Sequence, residues 1–411
     1  MAIDNKDKKI LNVPPLRFPE FSGEWKCTTI GNIGDIKNGP FGSVLHAEDY
    51  VENGIPIVTT EHFKTGLMPS DKFGIPQVSN EDYIRLKGYR LETNDIVFSR
   101  VGSVDINAHV GIEQNGWLFS GRVLRVRPKY DIDSLFLHYA LSTEAVKRDI
   151  RNRAVGQTMP SINTPILSST TIQLPKDLFE QKKVAHFLRL LDERIITQHK
   201  IIEDLKKLKS AIVEMLLCNQ NGESFKLRDV GCFVRGLTYA NEDVTENKAA
   251  TTVIRANNLN YGNNVDKDEV VYVNKTPTTS QILRKGDIVI CMANGSSSLV
   301  GKNSYYPFND GQSTIGAFCG IYRTSYPFVK WLMQSQRYKR LVYQSLQGGN
   351  GAIANLNGDD ILNMSFPLIE NGKSQSIIFA IDAIEKSLMV NKSLQRLYYT
   401  QKSYLLKQMF I

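Results

Sequence analysis

The chain has 411 residues, of which 42% are hydrophobic and 22% are charged. This length supports two or three domains of ordinary size, and no apolar stretch approaches the ~20 residues that cross a bilayer. The polar start of the chain argues against a secretory signal. The five cysteines are scattered without CxxC spacing, which favours free thiols in a reducing compartment. We therefore expect a cytoplasmic globular protein without a disulfide framework or a zinc site.

The net charge of +8 and the isoelectric point of about 9.0 favour polyanionic partners such as nucleic acid. Many basic proteins of the cytosol bind neither nucleic acid nor acidic lipid, so charge alone leaves both interpretations open.

An internal repeat is the most informative feature of the sequence. Several residues of the first half recur in the second half at a shift of 192 residues. Leu91, Asp95, Ile96 and Val97 recur as Leu283, Asp287, Ile288 and Val289, Phe136–Tyr139 as Phe328–Trp331, and Pro175 as Pro367. Solenoid units repeat every 20 to 50 residues or so, so this longer shift indicates a duplicated domain.

Each copy combines short strands with helical segments, which predicts an α+β fold. The clearest predicted strands are Pro56–Thr59, Asp95–Phe98 and Arg122–Val126 in the first copy, and Thr252–Arg255 and Asp287–Ile290 in the second. One helix is predicted in each copy, over Ile132–Arg153 and Pro327–Ser345. The predicted organisation is a first domain at 1–177, a helix at 178–217, a linker at 218–224, a second domain at 225–367 and a helix at 368–411.

Two long segments carry the heptad spacing of a coiled coil. In the first, apolar residues fall at Val184, Leu188, Leu191, Ile195, Ile202, Leu205, Ile212 and Leu216, with Gln198 and Lys209 in polar slots. In the second, Ile377, Ile381, Ile384, Leu388, Tyr398 and Leu405 form the seam, with Asn391, Gln395 and Lys402 in polar slots. A long helix with an apolar seam is unstable alone. We therefore predict that the two helices pair antiparallel, in keeping with a pseudo-twofold internal repeat. The alternative is that each packs against its own domain.

The sequence lacks the common catalytic motifs. It has no Gly-x-Ser-x-Gly elbow, no His-Glu-x-x-His and no Asn-Pro-Pro-Tyr or Asp-Pro-Pro-Tyr tetrapeptide, and its six histidines lack metal-ligand spacing. We expect no catalytic residue, no metal and no cofactor in this chain.

Two pairs of loops occupy matching places after predicted strands. Their polar residues are of the types that contact base edges: Thr60, His62 and Lys64, Arg100 and Ser103 in the first copy, and Arg255, Asn257 and Asn258, Asn294 and Ser296 in the second. Ordinary turn chemistry also favours Asn, Gly and Ser, so no single residue decides between the two interpretations.

Basic helix ends precede glycine-containing loops in both copies. Lys147 and Arg148 lie before the loop with Gln157, and Lys339 and Arg340 lie before Gly348–Gly351. Such clusters suit phosphate contacts, and a solvated helix face explains them equally well. A second apolar stripe on the first long helix, with Ile201, Leu208 and Met215, suggests contact with a partner.

These features together resemble the specificity subunit of a type I restriction–modification system. The resemblance also includes Pro15–Pro19 with Gly23-Glu24-Trp25, Gly39–Ser43 and Gly156–Asn163 in the first half, and Arg235–Tyr239 in the second half. The most specific part of the resemblance is the order of domain, helix, domain and helix along the chain. The second copy departs from the pattern at Gly348–Gly351, which lacks the Pro-Ser of the first.

The resemblance implies two target-recognition domains that each read one half of a split DNA sequence. It also implies a coiled coil that acts as a ruler and binds adenine methyltransferase subunits, two of them by symmetry, and a restriction subunit that translocates and cleaves DNA. The chain itself would be non-catalytic. Two alternatives stay open at this stage. The heads of a coiled-coil adaptor would bind protein rather than DNA, and an enzyme with degenerate motifs would show activity by itself.

Overall fold

The computed structural model describes residues 12–40, 47–218, 223–346, 354–368 and 371–411. The chain divides into two compact units, Met1–His199 with Ser393–Ile411, and Lys200–Lys392. Each unit thus contains one half of the central helix, Leu178–Cys218, and one half of the C-terminal helix, Asn371–Met409. Within the described ranges, no helix has the length and apolarity that a membrane crossing requires.

The first unit contains two four-stranded sheets. One sheet has the antiparallel order Gly34–Asn38, Val123–Pro128, Ile96–Ser99 and Asn107–His109. The other has the order Tyr50–Val51, Gln77–Val78, Ile55–Val58 and Leu118–Phe119, whose last pair is parallel. Lys26–Thr29 pairs separately with Thr171–Leu174. The helices are Ile30–Ile33, Asn80–Arg85, Ser134–Leu141, Glu144–Arg153 and Thr164–Ser168.

The second unit repeats this strand order. Its antiparallel sheet is Gly231–Arg235, Cys319–Thr324, Ile288–Cys291 and Asn303–Tyr305. Its mixed sheet is Val244–Thr245, Val271–Val273, Thr251–Ile254 and Ser313–Ile315. Ser224–Lys226 pairs with Ser365–Pro367, and Ala293–Asn294 with Ala354–Asn355. The helices are Leu227–Val230, Val329–Leu332, Gln336–Leu346 and Gly358–Asn363. The repeated sheets confirm the duplicated α+β domain.

The repeated aspartate of the Asp-Ile-Val strands has a structural role. Asp95 is 1% exposed and accepts two hydrogen bonds from the Arg127 guanidinium, at 2.7 and 2.8 Å. Asp287 is equally buried and accepts the same two bonds from Arg323, at 2.8 and 2.7 Å. Because a buried carboxylate is stable only when it is paired and hydrogen-bonded, each aspartate ties the start of its strand to an arginine of the neighbouring strand.

The single helix predicted over Ile132–Arg153 is wrong, because the chain forms two helices that break at Ser142 and Thr143. Thr143 is extended there, and its hydroxyl donates to the carbonyl of Ala140 at 2.8 Å. The second unit breaks the predicted Pro327–Ser345 helix in the same way, since the Ser335 hydroxyl donates to the carbonyl of Leu332 at 2.6 Å and accepts the N–H of Tyr338. A hydroxyl residue competes with the helix for backbone groups, and this recurs at both sites.

The N-terminal motif docks onto the start of the central helix. Glu180 is 2% exposed, and its carboxylate accepts hydrogen bonds from the Arg17 guanidinium at 2.7 Å and from Trp25 Nε1 at 3.1 Å. The Trp25 ring packs against Phe410 at the C-terminal end of the chain, with 6.1 Å between the ring centroids. The first unit therefore includes both ends of the described chain.

The predicted heptad seam is buried in part in each unit. In the first unit, Val184, Leu188, Leu191 and Ile195 join a core that also contains Leu405 and Met409 of the C-terminal helix. In the second unit, Val213 and Ile381 are core residues, and Ile212 and Ile377 pack against them. The side chain of Leu216 lies outside the described residues. The seam is therefore shared between the two long helices, as the coiled-coil pattern predicts.

Two lysines in the polar slots of the seam form matching ion pairs. In the first unit, Lys402 of the C-terminal helix binds Asp192 of the central helix at 2.6 Å. Lys402 Nζ also lies 5.6 Å from the ring centroid of Tyr139, whose hydroxyl donates to Asp192 at 2.8 Å. Because Tyr139 belongs to the helix Ser134–Leu141, this lysine–carboxylate–aromatic junction joins the globular domain to both long helices.

The second unit forms the same junction with the helices exchanged. Lys209 of the central helix binds Glu385 of the C-terminal helix, and its Nζ lies 4.7 Å from the Trp331 ring centroid. Trp331 occupies the repeat position of Tyr139. From the first junction to the second, the central helix ascends from 192 to 209 while the C-terminal helix descends from 402 to 385. The two helices therefore pack antiparallel.

We predict that the junctions contribute substantially to stability. Lys402→Met leaves Asp192 buried without its cation, and this loss should lower the free energy of unfolding by about 3 kcal/mol. Removing both charges with Asp192→Leu and Lys402→Met should restore much of the loss. The exposed Lys407→Met on the same helix is the matched control. Urea titrations measure all three variants, and equal midpoints for Lys402→Met and Lys407→Met would contradict the prediction.

Candidate nucleic-acid interface

The first pair of predicted loops follows the central strand of each mixed sheet. In the first unit, His62 Nδ1 accepts the backbone N–H of Thr59 at 3.1 Å. In the second unit, Asn258 Oδ1 accepts the backbone N–H of Arg255 at 2.9 Å. Burial lowers the pKa of His62 and so keeps the ring neutral, with a nitrogen that accepts. Both residues cap their own loop.

Asn258 is 2% exposed, and its amide nitrogen donates to the carbonyl of Glu269 at 3.4 Å. A residue that contacts a base must be exposed, so this burial argues against the predicted contact between Asn258 and a base. Its neighbours Arg255 and Asn257 are exposed. In the first unit Thr60 and His62 are half-buried, and Lys64 is exposed and binds Glu61 at 2.5 Å.

The second pair of loops is held by matching backbone hydrogen bonds. The N–H of Arg100 donates to the carbonyl of Arg122 at 2.9 Å, and the N–H of Met292 donates to the carbonyl of Phe318 at 2.8 Å. Arg100 therefore corresponds to Met292.

The Gln157 segment is brought next to the Arg100 loop. The N–H of Ile162 donates to the carbonyl of Arg100 at 2.9 Å, and the N–H of Gly102 donates to the carbonyl of Pro160 at 2.8 Å. Gln157 and Ser103 are exposed, and Arg100 Nη1 donates to the carbonyl of Gly121 at 3.1 Å. The corresponding Gly348–Gly351 segment lies outside the described residues, as do residues 41–43 of the Gly39–Ser43 motif.

In the second unit the structure brings Arg255, Asn257 and Asn294 together in one cleft of about 720 Å³. Tyr239, Asn241 and Phe318 also line this recognition cleft. Asn241 and Phe318 were missed, because a residue in an irregular turn leaves no periodic signal. Ser296 is not among the lining residues. It is exposed, and its hydroxyl lies 2.8 Å from that of Ser298.

Close backbone packing requires glycine beside the cleft. A Cβ atom at Gly236 would lie 2.1 Å from the carbonyl oxygen of Gly316, and one at Gly39 would lie 2.0 Å from that of Ser120. Such distances are impossible for a side chain, so both copies need glycine there. This gives a physical reason for the glycines of the Gly39–Ser43 and Arg235–Tyr239 motifs.

The side chains that line the recognition cleft suit hydrogen bonding with a ligand. Its described lining includes one cationic side chain and amide side chains, and no carboxylate. Burial raises the pKa of the Cys319 thiol to about 12, so this sulfur is protonated at neutral pH and is a poor nucleophile. Guanidinium and amide groups are the side chains that make bidentate contacts with guanine and adenine edges.

The predicted phosphate-binding cations lie on exposed helix faces. Arg148 is exposed and Lys147 half-buried on Glu144–Arg153, whereas Arg151 of that helix binds Asp105 at 2.5 Å. Lys339 and Arg340 are exposed on Gln336–Leu346, with Lys339 Nζ 5.0 Å from the Tyr261 ring centroid. They are absent from the residues that line the recognition cleft.

Residues 22–207 match the family model of the type I restriction modification DNA specificity domain. The MjaVIII specificity subunit of Methanocaldococcus jannaschii is 27% identical over 206 residues, which cover 48% of this chain and 46% of the relative. The putative MjaX specificity subunit of the same organism is 32% identical over 231 residues, covering 54% and 52%. The chain spans about half the length of these relatives. A crystal structure of the type I S subunit from M. genitalium has the same fold, with a TM-score of 0.59, 17% identity and coverage of 97% of this chain and 99% of that one.

The chain is similar to the specificity subunits of type I restriction enzymes over about half of its length. The M. genitalium structure shows that the likeness of fold extends over nearly the whole chain.

The predicted partner stripe on the central helix is exposed. Ile201, Leu208 and Met215 are 41%, 50% and 63% exposed. They recur every seven residues and so share one helix face. The role of this face in binding a partner stays a prediction, which the exposure of its apolar side chains supports.

We predict that Asn257 and Asn258 differ in their roles although they are adjacent. Asn258→Ala removes a loop cap and should cost about 1–2 kcal/mol of stability without changing which DNA sequence is bound. Asn257→Ala should leave stability unchanged and weaken binding to the specific sequence. Thermal unfolding and DNA titrations on both variants test this contrast. A change of sequence preference in folded Asn258→Ala would show that Asn258 does more than cap the loop.

Proposed function

We propose that this chain is the DNA sequence-recognition subunit of a type I restriction–modification complex. It reads a bipartite target and recruits methyltransferase and restriction subunits. The recognition cleft is the observation that carries the proposal, because it gathers Arg255, Asn257 and Asn294 on a fixed backbone frame. The net charge of +8 adds the attraction to the phosphate backbone that such proteins require.

In this proposal the domains at 1–177 and 225–367 are two target-recognition domains. Each reads one half of the target, and the helices at 178–217 and 368–411 fix the gap between the halves. The repeated strand order supports this division, because the two domains share one backbone arrangement and carry different residues in corresponding loops. Recognition of two different half-sites requires such a difference in the loop residues.

The chain acts without catalysis of its own and without a cofactor, and works in the cytoplasm. The partners supply the chemistry: adenine methyltransferase subunits, two of them for two similar domains, and a restriction subunit with a translocase. The stripe of Ile201, Leu208 and Met215 is the proposed docking site for one methyltransferase subunit. A face of exposed apolar residues is typical of an interface with another protein.

Salt-dependent binding of DNA tests the proposal against an adaptor whose heads bind protein. The affinity for duplex DNA should fall steeply with salt, because each phosphate contact releases condensed counterions. The full-length chain is titrated with random duplex and with a target found by mapping methylated adenines in the host genome. If the chain fails to bind duplex DNA even at low salt, DNA recognition is rejected and the adaptor is favoured.

We predict separable roles for the cleft and for the basic helix. Arg255→Ala or Asn257→Ala should cost about 1–3 kcal/mol on the specific target and relax one half-site. Lys339→Ala with Arg340→Ala should weaken binding to all sequences and reduce the salt slope by about one for each phosphate that is no longer neutralised. Binding isotherms on target and random duplex at several salt concentrations measure both. Equal losses on both duplexes for every variant would defeat the assignment.

We predict that the paired helices set the gap between the half-sites. One heptad inserted into each helix, after His199 and after Lys392, keeps the seam in phase and leaves both junctions intact. It adds about 10 Å of helix, or about three base pairs of rise. The preferred gap should lengthen by that amount, measured by selection from duplexes with gaps of varied length.

The matched control for this experiment inserts the heptad into the central helix alone. That change should break the helix pairing instead of moving the gap. If the folded double insertion keeps its original gap, or if the half-sites themselves change, the helices are not the ruler.

A further inference from the structure

Phe318 stands out among the residues that line the recognition cleft, because it is large, apolar and 68% exposed. Arg255, Asn257 and Asn294 are among the polar side chains that line the same cleft. A single exposed aromatic residue is common on protein surfaces, so exposure alone decides nothing here. The backbone that carries the ring is the more informative observation.

The turn that carries Phe318 is fixed to both candidate recognition loops. The N–H of Gly316 donates to the carbonyl of Ile254, directly before Arg255, at 3.0 Å. The carbonyl of Phe318 accepts the N–H of Met292 at 2.8 Å and that of Ala293 at 3.3 Å, directly before Asn294. The position of the ring is therefore set by backbone hydrogen bonds and not by packing of the ring itself.

The first unit builds the same turn with a different side chain. The N–H of Ser120 donates to the carbonyl of Val58 at 2.9 Å, and the carbonyl of Arg122 accepts the N–H of Arg100 at 2.9 Å. Arg122 therefore occupies the place of Phe318, and it is also exposed. The frame is repeated, while the chemistry of the side chain that it presents changes from cationic to apolar.

We infer that this turn is a specificity-determining position of both domains and that Phe318 contacts the C5-methyl group of a thymine in the major groove. The inference rests on the proposed DNA recognition and deepens it. Thymine is the base distinguished by a methyl group at the major-groove edge, and apolar side chains including Phe recognise it. Arg255 and the asparagines offer hydrogen bonds for purines, and Phe318 supplies the apolar contact that they lack.

Deoxyuridine tests this contact, because it differs from thymidine only by the missing methyl group. The thymines of the half-site read by the second domain are replaced one at a time in a target duplex, which is then titrated with the full-length chain. One replacement should weaken binding about fourfold, the factor that corresponds to burial of one methyl group. The same replacement should leave the affinity of Phe318→Ala unchanged.

Three variants serve as controls. Tyr326→Ala removes an aromatic residue of the same unit that is 43% exposed and outside the cleft lining, and it should keep the full sensitivity to deoxyuridine. Arg122→Ala should also keep it, because Arg122 belongs to the other domain. Phe318→Leu retains an apolar group and should keep part of the effect. Thermal scans should show native stability for Phe318→Ala, since the ring that it removes is exposed.

Sensitivity to deoxyuridine that persists in Phe318→Ala overturns the inference, as does a half-site that contains no thymine on either strand. A loss of affinity in Phe318→Ala that is equal on target and random DNA also overturns it, and points to a wedge between bases. These results leave the proposed function standing. If the native chain fails to bind DNA at all, the proposed function fails together with the inference.

Discussion

A half-buried lysine beside a carboxylate and an aromatic ring joins each globular domain to both long helices. Lys402 and Lys209 are 23% and 12% exposed at the side chain, and each occupies a polar slot of a mostly apolar seam. A lysine in such a place is stable only where its carboxylate stands opposite, so any other register of the helices would bury an unpaired charge. The apolar seam holds the helices together, whereas the two ion pairs select one alignment, as polar residues in coiled-coil seams do.

The globular domains likewise combine a repeated backbone structure with different side chains in the exposed loops. Asp95 with Arg127, and Asp287 with Arg323, fix equivalent strands, and Gly39 and Gly236 allow equivalent close approaches of backbone. Where the frame reaches the exposed loops, the side chains diverge, as Arg122 and Phe318 show. A fixed backbone of this kind lets side chains change without a change of fold, because their positions do not depend on their own packing.

The sequence predicted the long helices to within a few residues because a heptad seam repeats many times and each repeat adds to the signal. It missed the helix breaks at Thr143 and Ser335, since each break depends on one hydroxyl that bonds back to a carbonyl. The candidate site was predicted only in part. The loops that carry Arg255 and Asn294 were identified, but nothing in a single sequence distinguishes the exposed Asn257 from the buried Asn258, or marks Phe318 as part of the same cleft.

This distinction between adjacent asparagines reflects a general constraint on recognition. A side chain that identifies a base needs free donors or acceptors in the unbound protein, so it must lie on an exposed loop and contribute little to stability. A side chain that caps such a loop has its hydrogen bonds satisfied internally, as those of Asn258 are, and it holds the neighbouring residues in place. Under the proposed function, stability and recognition therefore depend on different residues of the same loop. Substitution of the exposed residues can change the target of such a protein while the caps, the ion pairs and the helix seam preserve its fold.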